Sequence, residues 1–147
     1  MQLRARIEDD GHAYILEFLR PPQSDQYQYV RFLVDTGCSI TTLLSDDAAR
    51  LSINCQCLPQ ATFTVTTANG RVHPWTIVEP DLLLPVRYGL LHLKRTLARP
   101  QLRYICCMAP IGNPAIPYTR TNSALGMDVL HFFKNWQFND DVLILKT

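Results

Sequence analysis

Hydrophobic and polar residues alternate near the start of the chain. Residues 2–7 and 13–19 both follow this alternation, and the segment EDDG between them consists of turn-forming residues. A third segment, residues 27–34, alternates at first and then becomes continuously apolar, as a strand does on entering a buried region. The pattern therefore predicts a β-hairpin, followed by a strand that ends in the core at Asp35.

The next elements are predicted by helix-start and turn residues. Ser45 precedes Asp46 and Asp47, and a hydroxyl followed by two acids is typical of a helix start, so we expect a short helix through Leu51. Further on, Asn69-Gly70 lies between two β-rich segments, which predicts a second hairpin because both residues tolerate positive φ. Pro74 limits the pairing of its return strand.

The second half of the chain is less regular. Residues 86–108 are strand-like but interrupted, and residues 109–123 form a proline-containing loop. An apolar pair, a glycine and an Asp-led helical turn follow, and after further turn residues the pattern predicts a final strand from Val142 to Leu145. Because helix content is low throughout, the predicted fold class is all-β, with a single domain over residues 1–147.

Composition supports a compact domain and excludes some partners. The 147 residues are 47% hydrophobic and 18% charged, which is too apolar for a disordered chain. The formal net charge is only +1, and Lys and Arg are scattered, so we expect no nucleic-acid partner.

Charged residues interrupt the first ten positions, which excludes a secretory signal, and no apolar run approaches the roughly 20 residues that cross a bilayer. We expect a soluble, cytoplasmic or otherwise intracellular protein without membrane contact. The five cysteines are an odd number and should be reduced thiols.

Four of these cysteines raise the possibility of a zinc site. The spacing of Cys55 and Cys57 differs from that of the usual zinc knuckle, and the neighbours Cys106 and Cys107 would point to opposite faces of a strand. Packing cysteines are the favoured interpretation, and we expect no metal and no cofactor.

The segment Asp35-Thr36-Gly37 has two interpretations. Taken alone, it is a turn in which the carboxylate accepts local backbone N–H groups. The alternative is a catalytic carboxylate, since the segment directly follows a buried strand. The tripeptide itself does not decide between them, and its context must.

That context resembles the retroviral-type aspartic proteases and their cellular relatives. Their signature is an apolar run, Asp-Thr/Ser-Gly and a small residue, which FLVDTGCS fits from Phe32 to Gly37 before departing at Cys38. A second family element, an apolar pair and Gly before an Asp-containing turn of helix, matches ALGMDVL. The matching residues are Ala124, Leu125, Gly126, Asp128 and Leu130.

The resemblance implies a fold and a mechanism. The implied fold is a closed acid-protease-like β-barrel with a flap hairpin and one or two short helices. The implied activity is that of an aspartic endopeptidase, in which two carboxylates about 3 Å apart share one proton and activate a water. Because the chain has a single Asp-Thr-Gly motif, Asp35 from each subunit of a homodimer would supply the pair.

Residue roles are also carried over from the family. Asp35, Thr36 and Gly37 would form the catalytic loop, in which Thr36 bonds across the two-fold axis and Gly37 leaves room for its N–H. Leu125 and Gly126 would support this loop from behind. An extended peptide or protein substrate would contact Cys38, Ser39 and the flap residues Ala68, Asn69 and Gly70.

Two expectations complete the prediction. A thiol at Cys38 donates a weaker hydrogen bond to the carboxylate than a serine would, so we expect a mildly acidic to near-neutral optimum. The chain end, from Val142 to Lys146, is the expected dimer strand. The alternative function is a non-catalytic dimeric binding or assembly module that has kept the fold.

Overall fold

The computed structural model describes residues 1–67, 70–92, 104–108 and 122–147. The strands of this part are β1 (Gln2–Ile7), β2 (Ala13–Arg20), β3 (Gln28–Val34), β4 (Thr42–Leu44), β5 (Val65–Thr67), β6 (Gly70–Val72), β7 (Trp75–Val78), β8 (Asp81–Val86), β9 (Gly89–His92), β10 (Tyr104–Met108), β11 (Ser123–Leu125), β12 (Asn135–Asn139) and β13 (Val142–Lys146). The helical segments are α1 (Ser45–Arg50), α2 (Met127–Leu130) and a 3-10 turn at Cys55–Cys57. The all-β prediction with short helices is confirmed.

In the described residues, eleven strands form one sheet, whose main path runs β12-β13-β1-β8-β2-β3-β11-β4-β10-β7, with β9 paired to β8. The outermost strands of this path, β12 and β7, are not paired with each other in the part of the chain that is described. The predicted closure into a barrel is therefore not confirmed. A separate two-stranded sheet, β5-β6, forms the second predicted hairpin.

The alternating segments fold as predicted. β1 pairs with β2, and β2 pairs along its length with β3, in antiparallel register. β2 buries Ile15 and Leu19 and exposes Leu16, so one face packs on the core and the other faces outwards. The predicted loop over residues 109–123 lies largely outside the described residues.

The helix start predicted at Ser45 is confirmed, since Ser45 is the first residue of α1, and the preceding Leu44 occupies the cap position without a side-chain bond. One local prediction is wrong. The segment predicted as turns before the final strand instead contains β12, which pairs with β13 over all five residues. Its segment NWQFN does alternate polar and aromatic residues, a signal that the turn interpretation overlooked.

The core lies between the inward faces of the sheet and the two helices. Its fully buried large side chains include Phe32 of β3, Leu43 of β4, Leu125 of β11 and Leu130 of α2. These four come from the strands and the helix that surround the end of β3. No helix in the described residues is long and apolar enough to cross a bilayer.

A polar cluster fixes the outer side of β3. The guanidinium of Arg31 stacks on the ring of Tyr14, 3.7 Å from its centroid, and donates to Asn122 at 3.0 Å. The same guanidinium forms an ion pair with Glu8. The cluster therefore ties the β1-β2 turn to the strand that leads to Asp35.

The burial of Leu125 predicts a large effect of shortening its side chain. We expect Leu125→Ala to lower the free energy of unfolding by about 2–5 kcal/mol, since it leaves a cavity behind β3. The matched control is Leu16→Ala, because Leu16 is 52% exposed on the outer face. Chemical denaturation measures both changes, and equal losses would contradict the assignment of the core.

Candidate functional site

The Asp35 loop begins where β3 ends. β3 runs parallel to β11, with Val34 beside Leu125, and the backbone N–H of Asp35 donates to the Leu125 carbonyl at 3.1 Å. The chain then turns, because the Cys38 N–H donates to the Asp35 carbonyl at 3.2 Å. The two strands thus hold Asp35 at the carboxyl end of a parallel pair.

Within this turn, the Asp35 carboxylate accepts the backbone N–H of Gly37 at 2.9 Å. A Cβ on Gly37 would lie 3.2 Å from the same carboxylate oxygen, so the glycine permits this close approach. Asp35 is half-buried, whereas Thr36 and Gly37 are exposed. The turn interpretation and the catalytic interpretation are therefore compatible, since the local bond orients a carboxylate that solvent still reaches.

Gly126 packs directly against the far side of the loop. A Cβ at this position would lie 2.7 Å from the Ile40 carbonyl carbon, 2.8 Å from the Thr41 nitrogen and 2.9 Å from the Cys38 oxygen. Next to it, Met127 donates its N–H to the Cys38 carbonyl at 2.8 Å, and the Asp128 N–H donates to Ser39 at 3.2 Å. Two backbones meet here without a side chain between them.

Thr41, Gly126 and Asp128 complete this contact, and we call their hydrogen-bond network the loop clamp. The Thr41 hydroxyl donates to Asp128 Oδ1 at 2.7 Å and accepts the Gly126 N–H at 3.1 Å. The Thr41 N–H lies 3.0 Å from both carboxylate oxygens of Asp128. The clamp therefore fixes the chain just after the Asp35 loop to the start of α2.

In the clamp, burial and hydrogen bonding have opposite effects on the pKa of Asp128. Burial raises the pKa of the Asp128 carboxyl above its ordinary value, while hydrogen bonds from Thr41 and Val129 oppose that change. Each of these bonds has the carboxylate as acceptor, so the clamp is best satisfied by the ionised form.

The hydrogen bonds of the Cys38 thiol differ from those expected. Its thiol donates to the Ile40 carbonyl, with Sγ 2.9 Å from the oxygen, and lies 3.7 Å from the Thr42 hydroxyl. The thiol is therefore bonded to its own loop, where we had expected a bond to Asp35. The mildly acidic to near-neutral optimum stays a prediction.

The remaining predicted site residues fall in two places. Ser39 is exposed on the loop itself, beside the half-buried Cys38. In the hairpin, Gly70, which was predicted at the tip, lies in β6 opposite Thr67. Asn69, the other residue of the predicted tip, and Ala68 lie outside the described residues.

Thr41 is not among the site residues predicted from the sequence. The signal was weak, since a threonine after a turn is ordinary, and its role depends on a segment far along the chain. Among the described residues, no group of three His, Cys, Asp or Glu side chains could hold a metal ion. Cys55 and Cys57 are free thiols in the 3-10 turn.

Comparisons with known proteins agree with this geometry. A family model described as aspartyl protease matches residues 24–94, which include the Asp35 loop and the β5-β6 hairpin. The fold is similar to the crystal structure of a retropepsin-like aspartic protease from Rickettsia conorii, with a TM-score of 0.61 and 25% sequence identity. The match covers 99% of this chain and 89% of that one. No curated protein matches the sequence.

The backbone contact at Gly126 predicts a severe effect of a single methyl group. We expect Gly126→Ala to lower the free energy of unfolding by about 3 kcal/mol, the upper end of overpacking effects, because backbone atoms cannot move aside as side chains do. Gly37→Ala is the matched control and should destabilise the protein less, since its Cβ would meet one side-chain oxygen at 3.2 Å. Denaturant titration of both variants tests this order, and a reversed order would contradict it.

Proposed function

We propose that this chain is a retropepsin-like aspartic endopeptidase whose active site is formed by two copies of the Asp35 loop, a proposal supported by the match to the aspartyl protease family model and by the similarity in fold. The observation that carries the proposal is the loop itself. It presents a half-buried carboxylate, oriented by the Gly37 N–H, on a turn that the clamp holds to α2.

The chemistry requires two such carboxylates. One must take a proton from the attacking water while the other donates a proton to the carbonyl oxygen of the peptide. The sequence contains a single Asp-Thr-Gly segment, so a second subunit supplies the other Asp35. Two carboxylates in close contact cannot both ionise, and one proton shared between them provides the acid and the base together.

Thr36 is suited to join the two loops. Its side chain is exposed in the single chain, although it stands between the half-buried Asp35 and the Gly37 turn. A second copy would cover it. The β5-β6 hairpin is the proposed flap over an extended peptide, and Cys38, Ser39 and the hairpin residues around Gly70 would contact that substrate.

The partner strand is a further part of the proposal. The expected strand, β13, already pairs on both sides, with β12 and with β1, so it has no free edge for a second subunit. β12 is the outermost strand of the path in the described residues, and its Phe138 is 73% exposed. We therefore assign the homodimer contact to the edge of β12, where strand pairing would bury this ring.

The catalytic role predicts loss of cleavage in Asp35→Asn. We expect this variant to cleave a peptide library about 10²–10⁴-fold more slowly than wild type between about pH 4 and 7. It should fold normally, because the amide oxygen can still accept the Gly37 N–H. Asp46→Asn, at an exposed position in α1, is the control and should retain activity.

A statine-type inhibitor should block the wild-type reaction. Cleavage that survives Asp35→Asn would contradict the assigned carboxylate. A dimeric wild type that cleaves nothing over this pH range would instead favour the non-catalytic binding module.

The assigned dimer edge predicts a position-specific effect of charge. We expect Phe138→Lys to raise the dimer dissociation constant roughly tenfold or more, because it removes about 1.5–3 kcal/mol of apolar burial and puts charges at the edge. Tyr88→Lys is the matched control, since Tyr88 is 87% exposed at the β8-β9 turn. Sedimentation analysis measures both constants, and a larger effect of Tyr88→Lys would place the contact elsewhere.

A further inference from the structure

Glu17 is a charged residue type in the middle of the core. It lies on β2 between Ile15 and Leu19, which point inwards, and like them it is buried, with no exposed surface. Neither oxygen of its carboxyl group has a hydrogen-bond partner in the described part of the chain. The proposed reaction does not use this residue, and fold stability does not require a carboxyl group there.

The charge state of Glu17 follows from this environment. An ionised carboxylate without partners in a dry core is costly, and the group responds by keeping its proton. Burial raises the pKa of Glu17 well above its ordinary value, and the nearby charge of Asp128 raises it further. Glu17 is therefore neutral under conditions in which an exposed glutamate has lost its proton.

Other charges near β2 do not offset this. The strands packed against β2 are β1, β3 and β8. Their charged side chains are either exposed or lie at positions that alternate with the buried ones, on the outer face of the sheet. These side chains are Arg4, Arg6, Arg31 and Asp81. The charge that acts on Glu17 from the core side is that of Asp128, on α2.

Asp128 has the opposite requirement. It accepts bonds from the Thr41 N–H, the Thr41 hydroxyl and the Val129 N–H, all of which favour a carboxylate. A second negative charge on Glu17 would therefore oppose the charge that the loop clamp depends on. In a medium of low dielectric constant such repulsion is weakly screened.

We propose that Glu17 is a positioning residue whose bound proton keeps the loop clamp intact. With Glu17 neutral, Asp128 carries the single negative charge of this part of the core and holds Thr41. When Glu17 loses its proton, the two carboxylates compete and the clamp loosens, which sets an upper pH limit for the Asp35 loop. The inference rests on the proposed function only in treating that loop as the active site.

The sign of the stability change is fixed by proton binding. Because the folded state holds the Glu17 proton more tightly than the unfolded chain does, the stabilising contribution is complete below the ordinary glutamate pKa. It is lost progressively as pH rises towards the higher pKa of the folded state. The free energy of unfolding of wild type should therefore decrease over this pH range, while that of a variant without the titrating group should not show this decrease.

The test compares wild type with Glu17→Gln, a neutral side chain of the same shape, by thermal unfolding from about pH 5 to about pH 8. We expect the difference in melting temperature, Glu17→Gln minus wild type, to increase by about 3–5 °C for each pH unit within the titration range of Glu17. This is the change in melting temperature that the binding of one proton causes in a domain of this size. Asp46→Asn, at an exposed carboxylate in α1, should follow wild type. Parallel curves for Glu17→Gln and wild type would overturn the proposal.

Two further measurements on the folded protein complete the test. The carboxyl carbon shift of Glu17 in labelled wild type should report a protonated group at about pH 6, and an ionised one would overturn the proposal even if Glu17→Gln does not fold. Amide hydrogen exchange at Thr41 and Gly126 should lose protection with rising pH in wild type and retain it in Glu17→Gln; equal protection in both would also overturn it.

None of these readouts requires proteolysis. If they behave as expected while no peptide is cleaved, the proposed function fails and the role of Glu17 stands. If cleavage is observed, its rate in Glu17→Gln should persist to higher pH than in wild type. An unchanged alkaline limit would overturn the link between Glu17 and the loop.

Discussion

The contact between Gly126 and the backbone of residues 38–41 is the constraint on which the Asp35 loop depends. A Cβ there would lie 2.7–2.9 Å from three backbone atoms, so only a glycine allows the two segments to approach. That approach aligns the Met127 and Asp128 N–H groups with carbonyls of the loop. The conformation of the loop is thus set by a segment far along the sequence, and a local turn preference alone would leave it mobile.

The loop clamp brings polar groups into the core, and this has an electrostatic consequence. Asp128 can be buried as an anion because Thr41 and Val129 donate to it. Glu17 has no such donors in the described residues and must be neutral to remain where it is. Two acidic residues of similar chemistry therefore have different protonation states, because one has hydrogen-bond donors and the other has none.

How much of the fold can be predicted from the sequence depends on the kind of sequence pattern that each element has. Alternation correctly predicts β1, β2 and β3, because one face of each is buried. The segment NWQFN of β12 alternates too, but this strand is short, mostly exposed and followed by turn residues, so the pattern alone does not separate it from a turn. Alternation also contains the signal for Glu17, since this residue has the same parity as Ile15 and Leu19.

The site is predictable where it is built from motifs. Asp35, Gly37 and Gly126 are recognisable from short segments, and their mutual placement follows from the fold that those segments indicate. The role of Thr41 and the bond of the Cys38 thiol to Ile40 cannot be recognised from short segments. Each depends on which of several partners lies nearest after the loop has folded. A sequence names the donors but does not fix the distances that choose between acceptors.

The clamp and the assigned dimer edge lie close together in the chain, which connects loop order with assembly. The residues that hold the Asp35 loop begin at Gly126, α2 ends at Leu130, and β12 starts at Asn135. A subunit can therefore order its own loop before it meets a partner, since every bond of the clamp lies within one chain. The proposed reaction needs a second carboxylate, because a single group cannot act as acid and base at the same moment. In the proposed dimer, two loops that are already in their final conformation would meet, which reduces the ordering entropy that dimerisation must overcome.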